Sequence, residues 1–228
     1  MKAIEYKDTY TEENRKVLAI NILPEKTCNF DCVYCPFPRT ANQSEAQRSF
    51  EGMDRALAEL GDKLAASSID LVFISSQGEA LLNDRIGEII DLIKSRGVAV
   101  RLLSNGYLLA QAEFMELANR CDEVIGEIVA VTESDLQKLQ RPLTGYKLED
   151  YIANMSYFNS QYSGIFILDI TMLKGYNDDR ASIEKLQDII ARISPDRIEI
   201  GNVSDRQKRK QFGISSERLV EITKILSG

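Results

Sequence analysis

Short apolar segments alternate with longer amphipathic segments along most of this 228-residue chain. The apolar segments are rich in Val, Ile and Leu, as is typical of strands buried on both faces of a parallel sheet. Helices are expected between them, because apolar residues recur there every three or four positions. The predicted strands comprise residues 17–23, 71–75, 98–103, 123–129, 164–173 and 197–203. The predicted helices comprise residues 53–66, 85–96, 108–119, 146–160, 180–193 and 216–226.

This alternation predicts an α/β fold with a mostly parallel sheet and outer helices, because crossover helices join parallel strands. Six strand–helix units are fewer than the eight of a closed TIM barrel, so we expect an open, partial (β/α)6 TIM-like barrel. One domain is expected over residues 1–228, with its core at 17–203 and a C-terminal loop and helix at 204–228. The polar residues 1–16 are expected to wrap the barrel or to fray.

Three cysteines, Cys28, Cys32 and Cys35, directly follow the first predicted strand. Three thiolates on one short loop can hold three irons of a [4Fe–4S] cluster and leave the fourth iron open to a ligand. A structural zinc site would need a fourth Cys or His, but the chain has no histidine and only one further cysteine, Cys121. The spacing therefore favours an iron–sulfur cluster over zinc or over structural thiols.

The composition limits the classes of partner. The net charge of −7 disfavours binding of long nucleic acid, which requires a basic surface. No apolar run approaches the roughly 18 residues of a membrane-spanning helix, and the first residues lack the apolar segment of a secretory signal. Reduced cysteines are typical of a reducing compartment. We therefore expect a cytoplasmic protein without a membrane partner.

Further motifs follow the cysteine loop along the chain. They lie at residues 23–35, 76–83, 103–109, 140–142, 172–177 and 195–202. Together they resemble the radical S-adenosylmethionine (radical SAM) superfamily, in particular its iron–sulfur oxidoreductases related to wyosine-type tRNA-modifying enzymes. Wyosine-forming relatives carry additional N-terminal cysteines for a second cluster, whereas residues 1–27 contain none. The resemblance therefore implies a single-cluster member that is not a wyosine synthase.

The resemblance implies a [4Fe–4S] cluster on Cys28, Cys32 and Cys35, with S-adenosylmethionine bound at the open iron. In the superfamily, reductive cleavage of S-adenosylmethionine yields a 5′-deoxyadenosyl radical, which abstracts hydrogen from a substrate. A reducing partner such as flavodoxin or ferredoxin is implied, and the substrate stays unidentified. Within the superfamily, the alternatives are a glycyl-radical-enzyme activase, a tRNA-modifying enzyme, and an enzyme that rearranges or methylates a small molecule. Outside it, the alternative is a zinc or iron–sulfur interaction module without enzymatic activity.

The resemblance also suggests residues that bind the cofactor. Gly78 and Glu79 match the family's Gly-Glu element, which binds the amino group of S-adenosylmethionine. The Pro and Thr that usually follow are Ala80 and Leu81 here, so the geometry of this turn can differ. The alternative interpretation of the pair is a plain strand-to-helix turn with an exposed Glu.

Ser104 and Asn105 end the third predicted strand and are expected to reach the carboxylate or ribose of the cofactor. The alternative is a simple Asn-Gly turn, because Gly106 follows. Tyr34 precedes the third cysteine, where family members place an aromatic residue against the adenine. A second interpretation of Tyr34, compatible with the first, is an aromatic plug of the cysteine loop.

Two acidic residues, Glu127 and Asp169, lie in predicted strands that are otherwise mostly apolar. Glu127 replaces the polar Ser–Asp element of relatives on the fourth strand and is expected to bind ribose or substrate. Asp169 on the fifth strand is expected to have a functional or ion-paired role, because lone acids in apolar strands are rare. Cys121 is expected to be a buried thiol. The basic residues 206–210 are expected to form a solvated loop or, alternatively, to contact a substrate phosphate.

Overall fold

The computed structural model describes residues 2–227, and its strands form one sheet with six parallel members. The strands are β1 (Glu5–Tyr6), β2 (Tyr10–Glu12), β3 (Arg15–Asn21), β4 (Leu71–Ile74), β5 (Ala99–Ser104), β6 (Glu123–Ile128), β7 (Ile165–Met172) and β8 (Arg197–Asn202). β3 to β8 pair in chain order and in parallel. Within the described residues no ladder joins β3 to β8, so the barrel is open.

Helices connect the parallel strands and cover the outer face of the sheet. They are α1 (Met53–Ala65), α2 (Ile86–Ser95), α3 (Ala112–Ala118), α4 (Glu133–Asp135), α5 (Leu148–Gln161), α6 (Arg180–Ile193), α7 (Arg206–Phe212) and α8 (Ser216–Leu226). In α2, for example, the four isoleucines at the predicted spacing are fully buried against the sheet. Burial of such apolar stripes is the main contribution to the stability of a fold of this kind.

Two segments differ from the sequence-based expectation. The basic residues 206–210 belong to helix α7 and not to a solvated loop. This helix begins at Asp205, whose Oδ1 accepts hydrogen bonds from the main-chain N–H groups of Gln207 and Lys208 at 3.0 and 2.8 Å. Such a cap satisfies N–H groups that a helix start otherwise leaves free. Residues 5–12 do not fray, because β1 and β2 pair antiparallel with β3.

A buried ion network fills the interior at the amino ends of the parallel strands. Arg101 of β5 and Glu123 of β6 are directly paired in the ladder, and their side chains are 3% and 5% exposed. Glu123 also binds Arg15 of β3, and Arg101 binds Glu12 of β2 at 2.7 Å. The guanidinium of Arg101 lies over the ring of Phe73 on β4. The network therefore links five of the strands across the interior.

Candidate functional site

A cavity of about 290 Å³ opens at the carboxyl ends of the parallel strands. Parallel α/β sheets and barrels bind their ligands at this end. The cysteine loop forms one part of the wall, and residues that end β4 to β8 form the rest. Among the predicted residues, Cys28, Cys32, Tyr34, Gly78, Ser104, Asn105, Glu127 and Asp169 line the cavity. Cys35 and Glu79 are not part of this lining.

The loop between β3 and α1 brings the three predicted cysteines together as free thiols. The main-chain N–H of Cys35 donates to the carbonyl of Cys32 at 3.2 Å. The Sγ of Cys28 accepts a hydrogen bond from the N–H of Phe30 at 3.4 Å. On the opposite side of the loop, the Lys26 ammonium lies 3.4 Å from the Sγ of Cys35. The sulfurs of Cys28 and Cys35 therefore contact groups of this same loop.

Asp31 organises the loop from inside. Its carboxylate is 5% exposed, and it accepts hydrogen bonds from the Thr40 N–H at 2.8 Å and from Arg39 at 2.9 Å. Although burial acts to raise the pKa of Asp31, these two donors hold it below its ordinary value. The N–H of Asp31 in turn donates to the carbonyls of Gln140 and Arg141. The Asp31 carboxylate thus joins Arg39 and Thr40 to the cysteine loop. The Asp31 N–H joins this loop to the segment after β6.

The donor set of the loop, three thiols and no histidine, suits an iron–sulfur cluster. Within residues 2–227, no group of three His, Cys, Asp or Glu side chains is arranged to hold a single metal ion. A cubane instead distributes its cysteines over different irons. Burial, with a smaller effect of Glu79, raises the pKa of the Cys28 thiol to about 12. Binding to a metal would overcome this cost, because coordinated thiols lose their proton.

Gly78 lies where the turn after β4 touches the cysteine loop. Its φ is +152°, and a Cβ at this position would lie 2.1 Å from the carbonyl oxygen of Thr27, directly before Cys28. Only glycine fits such a close approach of two main-chain segments. The N–H of Glu79 donates to the same Thr27 oxygen at 2.9 Å. The predicted Gly-Glu pair therefore docks the end of β4 directly against the cysteine loop.

Glu79 is buried, with 1% of its surface exposed, so the alternative of an exposed turn residue is wrong. Its carboxylate accepts hydrogen bonds from the N–H groups of Leu81 (3.2 Å) and Asn105 (2.8 Å) and from the Ser104 hydroxyl (3.0 Å). Burial raises its pKa to about 7 despite these three donors. Residues Ala80–Leu82 form a 3-10 turn that Glu79 caps.

Ser104 and Asn105 make a turn and also reach the cysteine loop. The Ser104 hydroxyl accepts from the N–H of Gly106 at 3.0 Å. The Asn105 side-chain amide donates to Oδ1 of Asn29 at 2.6 Å and lies 3.9 Å from the Sγ of Cys28. The end of β5 is thus attached both to Glu79 and to the cysteine loop, so the predicted residues form one connected group.

Tyr34, Glu127 and Asp169 form the opposite part of the wall. Tyr34 is 6% exposed and packs in an apolar cluster that includes Phe212 of α7. Burial raises the pKa of Glu127 to about 8, and the negative charge of Asp169 contributes. Burial likewise raises the pKa of Asp169 to about 6, with a contribution from Glu199. Two partly desolvated carboxyl groups therefore face the cavity from neighbouring strands.

Tyr151 is an important contact that the sequence did not indicate as functional. This residue of α5 is fully buried, and its hydroxyl contacts the main-chain carbonyls of Asn105 and Glu127, at the ends of β5 and β6. Its ring packs edge-on against Phe30 of the cysteine loop, with centroids 5.6 Å apart. Cys121 lies elsewhere, buried at 4% exposure, in agreement with the expected buried thiol.

The fold and the site together define a class: open α/β barrels with a cysteine-rich ligand loop after the first parallel strand. A family model described as the radical SAM superfamily matches residues 22–186, more than half of the chain. The chain therefore belongs to the radical SAM superfamily. Members of this superfamily use a [4Fe–4S] cluster and S-adenosylmethionine. This confirms the predicted family and its cofactors.

Curated relatives are distant. The chain is 25% identical over 215 residues to a UPF0026 protein of Methanocaldococcus jannaschii, covering 93% of this chain and 66% of that protein. It is 23% identical over 209 residues to a Brachyspira hyodysenteriae protein named GTPase Obg, covering 91% of this chain and 31% of that protein. The chain thus spans less than two thirds of either relative. The present sequence contains no Gly-x-x-x-x-Gly-Lys phosphate-binding loop.

A solved structure of TYW1 with a lysine-pyruvate adduct has the same fold. It superposes with a TM-score of 0.69 at 16% identity, covering 94% of this chain and 74% of that one. The likeness confirms the predicted partial TIM-like barrel with a mostly parallel sheet and outer helices. Among residues 2–227, none of the helices has the length and apolar character needed to cross a bilayer.

Proposed function

We propose that this chain is a single-cluster radical SAM enzyme that holds its [4Fe–4S] cluster on Cys28, Cys32 and Cys35. One observation carries the proposal: two free thiols of one loop, Cys28 and Cys32, meet the ends of five parallel strands around a cavity of about 290 Å³, and the third, Cys35, lies on the same loop. When bound there, the cluster and S-adenosylmethionine would supply a 5′-deoxyadenosyl radical for hydrogen abstraction from a substrate. Residues 17–203 are the proposed catalytic core, and a flavodoxin or ferredoxin the proposed electron donor.

The residues of the chain would position the cofactor rather than react themselves. The main chain at Gly78 faces the cavity, and Glu79 behind it adds negative charge near the proposed position of the amino group. Asn105 would offer its side-chain amide to the carboxylate or ribose, while it remains attached to the cysteine loop. Tyr34 would close the adenine side, and Glu127 would bind ribose hydroxyls or substrate.

Anaerobic reconstitution with iron and sulfide tests the proposal. The wild-type chain is expected to take up about four irons and four sulfides, and to form 5′-deoxyadenosine from S-adenosylmethionine when reduced with dithionite. Cys35→Ala should lose the cluster, whereas the matched control Cys121→Ala should keep it, because Cys121 is buried away from the loop. A fully loaded wild-type protein that never cleaves S-adenosylmethionine would refute the enzymatic proposal.

The same experiment separates the alternatives. One zinc per chain with neither iron nor sulfide would support the interaction module instead. A glycyl-radical-enzyme activase would generate a glycyl radical signal in electron paramagnetic resonance when mixed with its partner. A tRNA-modifying enzyme would form 5′-deoxyadenosine faster when transfer RNA is added. Fold likeness does not choose among these reactions, since structural neighbours include TYW1, a methyltransferase and a lyase-activating enzyme.

A further inference from the structure

Three acidic residues lie side by side on adjacent strands, and two of them, Glu127 and Asp169, line the far wall of the cavity. Glu127 of β6 is the direct ladder partner of Asp169 of β7, and Asp169 is the direct partner of Glu199 of β8. Direct partners in a sheet project to the same face, with strands about 4.8 Å apart. We call Glu127, Asp169 and Glu199 the carboxylate row. Like charges placed directly opposite destabilise a sheet, so this arrangement favours either a bound proton or a cationic partner.

The protein supplies little of this compensation. Glu199 binds Arg197 at 2.9 Å, and its side chain is 42% exposed. Among the described residues, neither Glu127 nor Asp169 has a salt bridge to Lys or Arg, although both are mostly buried around the cavity. The buried Glu123 at the other end of β6, by contrast, is bound by two arginines. In this structure, Glu123 is thus paired with arginines, whereas Glu127 and Asp169 face the cavity without such a partner.

A second observation points to a ligand at the same place. The hydroxyl of Tyr34 is buried and has no partner within 3.5 Å at good geometry among residues 2–227, and its polar neighbours are Glu127 and the Cys32 thiol. The residue itself lines the cavity at 6% exposure. A buried hydroxyl without a partner costs about 1–3 kcal/mol. Its oxygen is able to accept a hydrogen bond from a ligand, and its proton is able to reach the neighbouring carboxylate of Glu127.

The ligand that fits this wall is an organic cation and not a metal ion. The carboxylates follow the strand spacing, so they form a line and do not converge on one position, and no such metal group occurs among the described residues. An ammonium or guanidinium group donates several hydrogen bonds in different directions. Such a group can therefore bridge two carboxylates and a phenol oxygen that a compact divalent ion would not reach together.

We propose that the carboxylate row and the Tyr34 hydroxyl form the subsite for a positively charged nitrogen group of the substrate. This inference rests on the proposed radical SAM function and names its substrate class: a compound with a protonated amine or a guanidinium. Glu127 lies next to the proposed cofactor position, while Asp169 and Glu199 extend away from it along the sheet. The cation would therefore be held within the cavity, on the wall that adjoins the proposed cofactor site.

Calorimetric titration of the anaerobically reconstituted full chain, with S-adenosylmethionine present, tests this proposal. The probes are cadaverine, pentanediol and glutarate, which share a five-carbon chain and carry positive, neutral and negative ends. Cadaverine is expected to bind about tenfold tighter than either of the others. Asp169→Asn, which changes charge at nearly constant shape, should weaken cadaverine about tenfold while leaving the cluster and S-adenosylmethionine affinity unchanged.

Glu184→Gln is the matched control, because Glu184 is an exposed acid on the outer helix α6. It should bind cadaverine like the wild type. Equal binding of the three probes, a preference for glutarate, or unchanged cadaverine affinity in Asp169→Asn would overturn the proposal. An equal loss of S-adenosylmethionine affinity in Asp169→Asn would also overturn it, because the carboxylate row would then belong to the cofactor site. Failure of the proposed radical SAM function would be seen in a different measurement: a protein with a complete iron–sulfur cluster would form no 5′-deoxyadenosine.

Discussion

Replacing Gly78 by alanine should be unusually damaging for a one-carbon change. The new Cβ would lie 2.1 Å from the oxygen and 2.9 Å from the carbon of the Thr27 carbonyl, both main-chain atoms. Overpacking costs about 1–3 kcal/mol. Alanine at a φ of +152° adds backbone strain of about 1–3 kcal/mol. Weakening the hydrogen bond from the Glu79 N–H to the Thr27 carbonyl adds about 1 kcal/mol. We expect a loss of about 3–7 kcal/mol in the free energy of unfolding.

Urea unfolding of the reduced, metal-free chain, followed by circular dichroism, measures this loss. Iron and sulfide content after reconstitution then reports the effect on the cysteine loop, because Thr27 directly precedes Cys28. Two glycines serve as controls. Gly97→Ala tests positive φ alone, since it has φ +71° and open space around it, and should cost about 1 kcal/mol. Gly201→Ala lies in the same cavity wall without a close neighbour and should change stability by less than about 0.5 kcal/mol.

A Gly78→Ala variant that is at least as stable as Gly97→Ala would contradict the clash with Thr27. A strongly destabilised Gly78→Ala that takes up iron and sulfide as completely as the wild type, at a temperature where both are folded, would contradict the effect on the cysteine loop. In that case, the contact between the turn and the loop would not position the cysteines.

Further predictions concern the buried ion network and Tyr151. Burial acts to raise the pKa of Glu123, but Arg15 and Arg101 hold it below its ordinary 4.5; its contribution to stability is therefore present above pH 4.5 and lost as the pH falls below it. Glu123→Gln should lower the free energy of unfolding at neutral pH by about 3–5 kcal/mol. In a plot of stability against pH, the variant should also lose less stability than the wild type as the pH falls below 4.5. The same loss of stability in both proteins over that pH range would contradict this prediction. Tyr151→Phe should cost about 1–3 kcal/mol by leaving carbonyls unpaired, whereas exposed Tyr157→Phe should be neutral in the same urea titration.

The parallel strands were predictable because burial on both faces leaves continuous apolar runs in the sequence. β1 and β2 leave no such signal: they are two and three residues long and polar, and their pairing with β3 stabilises them. Helix α7 was missed because its charged residues resemble a solvated loop. Its start depends on the cap at Asp205, and its burial depends on one residue, Phe212.

The sequence predicted the site residues that directly follow a strand, but it did not predict those that a distant segment brings to the site. Cys28, Gly78 and Asn105 share the carboxyl edge because parallel strands bring their ends together. The contact of Tyr151 with two strand ends has no local signal, because α5 lies far along the chain. The burial of Glu79 likewise depends on donors from β5, so the sequence alone left a buried and an exposed interpretation open.

The ion pair between Arg15 and Glu123 has a mechanical consequence for this open barrel. A closed barrel fixes its own circumference through hydrogen bonds around the ring, but here β3 and β8 are not joined. Arg15 reaches from β3 to β6 across two intervening strands, so this pair limits how far the sheet can uncurl. The same two strands lead to the cysteine loop and to Glu127 at their other ends. The Arg15–Glu123 ion pair at the amino ends of the strands therefore limits how wide the cavity opens at their carboxyl ends. It does so from the opposite end of the barrel to the proposed reaction.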